Sequence, residues 1–351
     1  MKLLLSRLFL CVVALGLAAF FSARTQHAGA PKHAFYFWKT QWASSPEIEA
    51  GLAQNDISKL YMRFFDVQWD AASYGPRPVS PLQFNAPVPH GLEIIPVIYL
   101  TNSVFMNVPY ENVEELSNEV WLKVQRMAQE QGIAVHQLQL DCDWTDTSRQ
   151  RYFHFAELLR QKLNKERVIV SSTIRLHQIK YAERTGIPPV NRGMLMFYNF
   201  GHIEADSARS SIFNVDDAKK YSSYIARYSM PLDVSLPLFS WIVHSRDSKV
   251  QGLLEKVDVR DLVGNDGFKQ INASRFQAVR SFFFRGRYFM DGDLLAVEAT
   301  GPETTLQAAS LAARGASRGS SYDTIAFFDL DERNLSHYAS TDFKKILQAF
   351  E

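Results

Sequence analysis

One short run carries the strongest chemical signal in the sequence. In Gln137-Leu138-Gln139-Leu140-Asp141-Cys142-Asp143, period-two alternation puts Gln137, Gln139, Asp141 and Asp143 on one face of a strand, with Leu138, Leu140 and Cys142 on the other. If the apolar face meets helices, the polar face points into an enclosed interior, where charges must be paired. Two aspartates side by side repel, so one titrates at raised pH, and a carboxyl group becomes a proton donor near neutrality in this way.

Other runs supply partners for this pair. Tyr61 and Arg63 share a face of one strand, and Ser171, Thr173 and Arg175 share a face of another, with His177 just beyond. Trp38, Tyr198 with Asn199, Trp241, and Asp329 with Asp331 stand at or just past the ends of four more, and Asp146 follows Asp143 by one turn of loop. Two readings stay open for Asp141 and Asp143: they do chemistry, or they pair with Arg63 and Arg175 to close the interior. His177 is either a general acid or base or a surface hydrogen-bonder. Cys142 reads as a small buried apolar residue. No spacing is specific to a metal site and no glycine-rich phosphate loop follows the first strand, so neither metal nor cofactor is expected.

The elements that must position these residues alternate. Strand-like runs fall at Ala34–Trp38, Lys59–Phe65, Glu93–Leu100, Gln137–Asp143, Val168–Arg175, Met194–Tyr198, Leu232–Phe239 and Thr324–Asp329. Helical periodicity marks Val113–Gln131, Gln150–Leu163, Gly301–Arg314 and Ser340–Phe350. Eight such alternations imply an α/β fold, a (β/α)8 TIM barrel whose site lies at the C-terminal ends of its strands. The interval between strands seven and eight is too long for a plain connection, and residues 245–298 are expected to form a small α+β insertion. Within it, Phe282–Met290 and Leu294–Glu298 flank Asp291-Gly292-Asp293, a hairpin signal.

The N-terminus has the make-up of a signal peptide over residues 1–30, leaving 31–351 as the barrel domain. Lys2 and Arg7 precede an apolar run, Leu8–Phe21, shorter than the roughly 20 residues that span a membrane. Ala28-Gly29-Ala30 offers a cleavage site, which implies a periplasmic or secreted protein. The alternative is an uncleaved inner-membrane anchor through residues 8–21, with the membrane met only there. Cleavage would remove Cys11 and leave Cys142 with no partner for a disulfide. A net charge of +1 gives no signal for a nucleic-acid partner.

The fourth strand also resembles a known family. Asp141-Cys142-Asp143-Trp144 is similar to the D-x-D-W part of the D-x-x-D-x-D-x-E signature of family 18 glycoside hydrolases. Met196-Phe197-Tyr198-Asn199 resembles that family's sixth-strand M-x-Y-D/N, and Leu236-Pro237-Leu238-Phe239-Ser240-Trp241 its seventh-strand L-P-x-Y segment. The chain departs from the pattern at Thr145, where the family has its acidic glutamate, at Leu138, where it has its first aspartate, and at Ile98-Tyr99-Leu100-Thr101, where it has S-x-G-G. Across QLDCDWT, TIRLHQIKY, MLMFYNF and LPLFSW, the chain more closely resembles a group of exported bacterial barrel proteins to which no activity is assigned.

The resemblance implies a carbohydrate partner and a glycoside hydrolase-like activity on a bacterial or amino-sugar polysaccharide. Asp143, Asp141, Asp146 and Asp329 are the candidate carboxyl groups, and Tyr198, Asn199, Trp241, Arg63, Arg175, His177, Trp38 and Trp144 would bind sugar. The alternative is a lectin-like barrel that binds glycan without cleaving it, with Thr145 as its support.

Overall fold

The computed structural model describes residues 30–199, 203–205, 209–316 and 322–351. The segment expected to direct export lies outside them, apart from Ala30. Eight parallel strands close on themselves: β1 (Lys32–Phe37), β2 (Ile57–Asp70), β3 (Glu93–Leu100), β4 (Gln137–Asp141), β5 (Ile169–Ile174), β6 (Arg192–Met196), β7 (Leu232–Pro237) and β8 (Thr324–Phe328). Each pairs with the next, and β1 pairs with both β2 and β8, which completes the barrel. The expected (β/α)8 barrel is the fold observed, and all eight strands fall within a few residues of their sequence positions.

Alternation sorts the strand residues into two cores. Outward side chains such as Leu138, Leu140, Cys142, Val170, Leu195 and Leu236 pack against helices, among them Val113–Glu130 and Arg149–Lys165. Inward side chains Tyr36, Tyr61, Ile95, Val97, Met194 and Tyr198 fill the lumen. The polar face of β4 is satisfied there. The Tyr36 hydroxyl donates to Gln139 Oε1 at 2.5 Å, and Gln137 Nε2 donates to Ser171 Oγ at 2.9 Å. Below them Arg192 grips Asp233 through two hydrogen bonds of 2.7 and 2.8 Å, and Asp233 accepts from the Thr324 amide, which ties β6, β7 and β8 together.

The chain departs from a plain barrel in two places. No helix separates β2 from β3. Instead β2 runs on to Asp70, and Gly75–Val79 folds back along it as an antiparallel strand at the end of the barrel sheet. The second departure is the insertion after β7, which begins earlier than residue 245. Ser240–Arg246 pairs antiparallel with Lys249–Glu255 on one side and Leu294–Ala299 on the other, and Arg275–Ala278 and Phe268–Asn272 complete five strands. Ile242, Leu262, Phe268, Phe276, Phe289 and Leu295 form its core.

The expected hairpin across Asp291-Gly292-Asp293 does not form. Phe282–Phe284 pairs with Arg287–Phe289 across Arg285-Gly286, while Leu294–Ala299 joins the larger sheet. The turn chemistry at 291–293 is real, since the Asp293 amide bonds back to the Met290 carbonyl, but it redirects the chain between two sheets. Both Arg285 and Gly286 have positive φ, the geometry that a two-residue hairpin turn demands.

Candidate active site

A cavity of about 470 Å³ opens at the C-terminal ends of the barrel strands. Its aromatic wall comes from Trp38 after β1, Tyr99 in β3, Tyr198 after β6, Phe239 and Trp241 after β7, and Phe328 at the end of β8. Phe328 is the hub, with ring centroids 5.5 to 5.8 Å from Tyr36, Trp38, Tyr198 and Phe239. The insertion adds Glu255, Lys256, Val257 and Asp258 to one side.

The polar residues gather in two groups. On the β4–β5 side, Asp141 is nearly sealed (5% exposed) while Asp143 reaches the open cavity (55% exposed). Arg175 holds both: Nε lies 2.5 Å from Asp143 Oδ1, Nη2 lies 3.1 Å from Oδ2, and Nη2 lies 3.5 Å from Asp141. Thr173 donates to Asp141 at 2.6 Å. Burial pushes the Asp141 carboxyl above its ordinary range, with Asp143 adding to the effect against the pull of Arg175.

On the β8 side stands Asp329, followed by Asp331. Burial, then the neighbouring Asp331 carboxylate, pushes Asp329 up to about 7. Asn334 donates to its Oδ1 at 2.8 Å. Burial also opposes ionisation of Asp331, but a 2.7 Å bond from Lys39, the Arg333 amide and the nearby Lys256 charge together outweigh it and hold that group below the usual range. Two adjacent carboxyl groups are thus driven apart, one toward a proton donor and one toward a fixed anion.

Nine of the sequence candidates line this one cavity: Asp141, Asp143, Asp329, Arg63, Arg175, Tyr198, Asn199, Trp38 and Trp241. Arg63 does so without pairing to Asp141 or Asp143. It forks onto Asp66 and lies over the Trp38 ring at 5.6 Å. Asn199 takes a left-handed backbone, φ 58°, a conformation asparagine tolerates well. The Trp241 indole donates to Glu298 at 3.1 Å, and Glu298 in turn accepts from the Ser211 amide and hydroxyl, so the ring is held in place from behind.

Three candidates lie outside the cavity lining. Trp144 is buried in the outer core, stacked on Tyr152, with its indole donating to the Thr185 carbonyl. It shares a face with Cys142, so strand alternation turns it away from the lumen. Asp146 sits exposed in the turn that leads to the helix Arg149–Lys165. His177 lies exposed on the short helix Leu176–Lys180; burial holds its imidazole below its ordinary value although Asp143 is near enough to oppose this. Thr145 is exposed too, its hydroxyl shared with Thr147 at 2.9 Å and Ser148 at 3.3 Å.

Tyr99, Phe239 and Phe328 line the cavity in addition to the sequence candidates. Tyr99 had a signal, since it continues the inward alternation of Ile95 and Val97. Lys256 and Glu255 had none, because they reach the mouth only through the fold of the insertion.

No family model and no curated protein matches the sequence. Solved structures do match the fold. A class V chitinase from Pseudomonas fluorescens superposes with a TM-score of 0.55 at 12% identity, covering 92% of this chain and 99% of that one. The spore cortex-lytic enzyme SleL of Bacillus cereus gives 0.53 at 12% identity, over 92% of this chain and 75% of the other. A family 18 chitinase from Cycas revoluta, solved with (GlcNAc)4, gives 0.50 at 12% identity, over 91% and 100%. Identity at this level carries the fold alone: the chain has a closed (β/α)8 barrel similar to the barrels of these enzymes.

Proposed function

We propose that this family 18-like barrel is an exported glycan-processing enzyme that hydrolyses an amino-sugar polysaccharide in the cavity at its mouth. The observation that carries the reading is that Asp143 and Asp329 share one aromatic-walled cavity, and that Asp329 keeps its proton up to about pH 7. Asp329 gives that proton to the glycosidic oxygen as the bond to the anomeric carbon breaks, and water completes the hydrolysis. Asp143, fixed by Arg175, supplies the second carboxylate, facing the positive charge that develops on the sugar or orienting its acetamide. Trp38 and Trp241 hold sugar rings by their faces, the largely buried Tyr198 backs the cavity wall, and Asn199 offers an amide to ring substituents. The substrate class rests on the structural neighbours, which are chitinases and a cortex-lytic enzyme, one of them holding (GlcNAc)4. Export rests on the apolar N-terminal run and the Ala28-Gly29-Ala30 site.

A second reading, a glycan-binding barrel without hydrolysis, draws on Thr145. It stands where the family has its acid, cannot protonate a leaving oxygen, and lies outside the cavity lining. One experiment separates the two. Residues 31–351 are incubated with chitin, peptidoglycan and amino-sugar exopolysaccharide fragments, with Asp143→Asn and Asp329→Asn alongside, and products are read by mass spectrometry. Cleavage lost in both variants supports the enzyme. Retention of a glycan with no cleavage by any of the three proteins establishes the binder.

A further inference from the structure

The insertion carries a surface feature that the glycan reading leaves unused. From Gly267 to Met290 the chain has no Asp or Glu, yet it contains Lys269, Arg275, Arg280, Arg285 and Arg287. The near-zero net charge of the whole protein averages this run away. Within it, Phe282–Phe284 and Arg287–Phe289 form a two-stranded ribbon with, among the described residues, no further strand on either side.

Alternation divides the ribbon's aromatic residues. Phe282, Phe284 and Phe289 turn inward onto Phe268, with ring centroids 5.0 to 5.4 Å from it. Phe283 and Tyr288, paired across the strands, turn outward with rings 5.0 Å apart, and they are 74% and 46% exposed. Val279 and Met290 at the ribbon's base are exposed as well. The Arg280 and Arg285 guanidinium groups lie 5.2 and 5.9 Å over the Phe282 and Phe284 rings of the same strand, with side chains 53% and 46% exposed. Their partners Asp266 and Asp261 lie in the chain before the acid-free run; the bond between the exposed Arg280 and Asp266 is weak, and Asp261 is shared between Arg285 and Arg333.

We propose that the Phe283–Tyr288 face of this ribbon docks the protein on an anionic phospholipid surface. Aromatic rings with an apolar body settle at the headgroup level of a bilayer. Arginines beside them are drawn to a negatively charged leaflet. The complementarity is of both kinds at once, an apolar tip and exposed arginines on the ribbon that carries it. A ribbon of two three-residue strands is too small to supply by itself the roughly 1,000 Å² that a stable protein partner requires. The inference adds a membrane contact beyond the N-terminal segment, and it stands whether or not the cavity hydrolyses anything.

The test uses residues 31–351, which hold every described element of the barrel and insertion and lack the apolar run that would bind lipid on its own. The protein is sedimented with vesicles of phosphatidylcholine alone, and with vesicles containing phosphatidylglycerol. It is expected to pellet with the second and stay largely in solution with the first. Phe283→Ser with Tyr288→Ser, and separately Arg280→Gln with Arg285→Gln, should each lower the bound fraction constant about tenfold. All four residues are exposed, so thermal melting and glycan binding should not change in either variant, which rules out misfolding. The proposal is overturned if the unaltered protein ignores both vesicles, if it binds both equally, or if either double variant binds as the unaltered protein does. Concentration-dependent dimerisation abolished by the Phe283/Tyr288 variant would overturn it in favour of a second copy of the chain.

Discussion

Arg175 grips Asp143 at two points, Nε on Oδ1 and Nη2 on Oδ2, and the same guanidinium reaches back to the buried Asp141. The carboxylate exposed to the cavity is therefore aimed by a cation that is itself anchored from below. Lysine cannot reproduce this fork.

Asp143→Asn should reduce glycan cleavage by about 10² to 10⁴-fold while the fold is kept, as removal of a positioned carboxylate does. Arg175→Lys should lower the rate less, since the charge stays and the aim is lost. Arg175→Ala leaves Asp141 buried without its cation and should destabilise the protein by about 3–5 kcal/mol, visible in thermal melting. Equal rates for Asp143→Asn and the unaltered protein would remove Asp143 from the chemistry.

The Asp329 carboxyl is raised in the folded state to about 7 from an ordinary value of 3.8. Between those values the folded chain binds a proton that the unfolded chain releases, so stability falls as pH rises through this window and levels off above it. Asp329→Asn should melt higher than the unaltered protein at pH 8 and close to it at pH 4. Glycan cleavage, if Asp329 is the donor, should decline above pH 7 and vanish in the variant. A melting difference that is constant with pH would contradict the raised value.

Trp241 is held by Glu298, which is also bonded to Ser211. Trp241→Ala should raise KM for a glycan about tenfold through loss of a stacking face, with a smaller change in kcat. Glu298→Gln should move KM in the same direction by less, because the indole keeps a weaker acceptor. Steady-state kinetics, or calorimetric titration if no cleavage occurs, measures both.

Asp293 anchors the insertion. Burial opposes its ionisation, yet bonds from Arg246, the Met290 amide and His244 hold it down at about 2. Its contribution to stability is full above pH 4 and is lost as pH falls toward 2. Asp293→Asn should destabilise the insertion by about 3 kcal/mol at pH 7. Hydrogen exchange in 240–299 should speed up while exchange in the barrel strands stays slow.

Much of this architecture was legible because the barrel rests on local rules. Eight apolar runs with period-two alternation marked eight strands, and the polar face of β4 pointed inward as its spacing required. Where a motif and the alternation pull apart, the alternation sets direction: Trp144 follows Cys142 by two and shares its outward face, however closely Asp-x-Asp-Trp resembles a known signature. Asp146 and His177 lie past strand ends, where alternation no longer governs direction. The insertion was harder. Asp291-Gly292-Asp293 is good turn chemistry, but which strands a turn joins is set by long-range pairing, and Leu294–Ala299 found its partners at Ser240–Arg246 and Arg275–Ala278. Lys256 and Glu255 reach the cavity by the same route, which no local pattern encodes.

The back-folded strand Gly75–Val79 has a consequence for how the molecule behaves in a crowd. A closed barrel offers neighbours no unpaired strand, but this extension ends the barrel sheet and leaves one side open. Its sequence, Gly-Pro-Arg-Pro-Val, withholds two amide protons and places a cation between them. An incoming strand from another molecule finds few donors to zip against and a charge in its way, so the overhang can stand proud of the barrel without seeding fibrils.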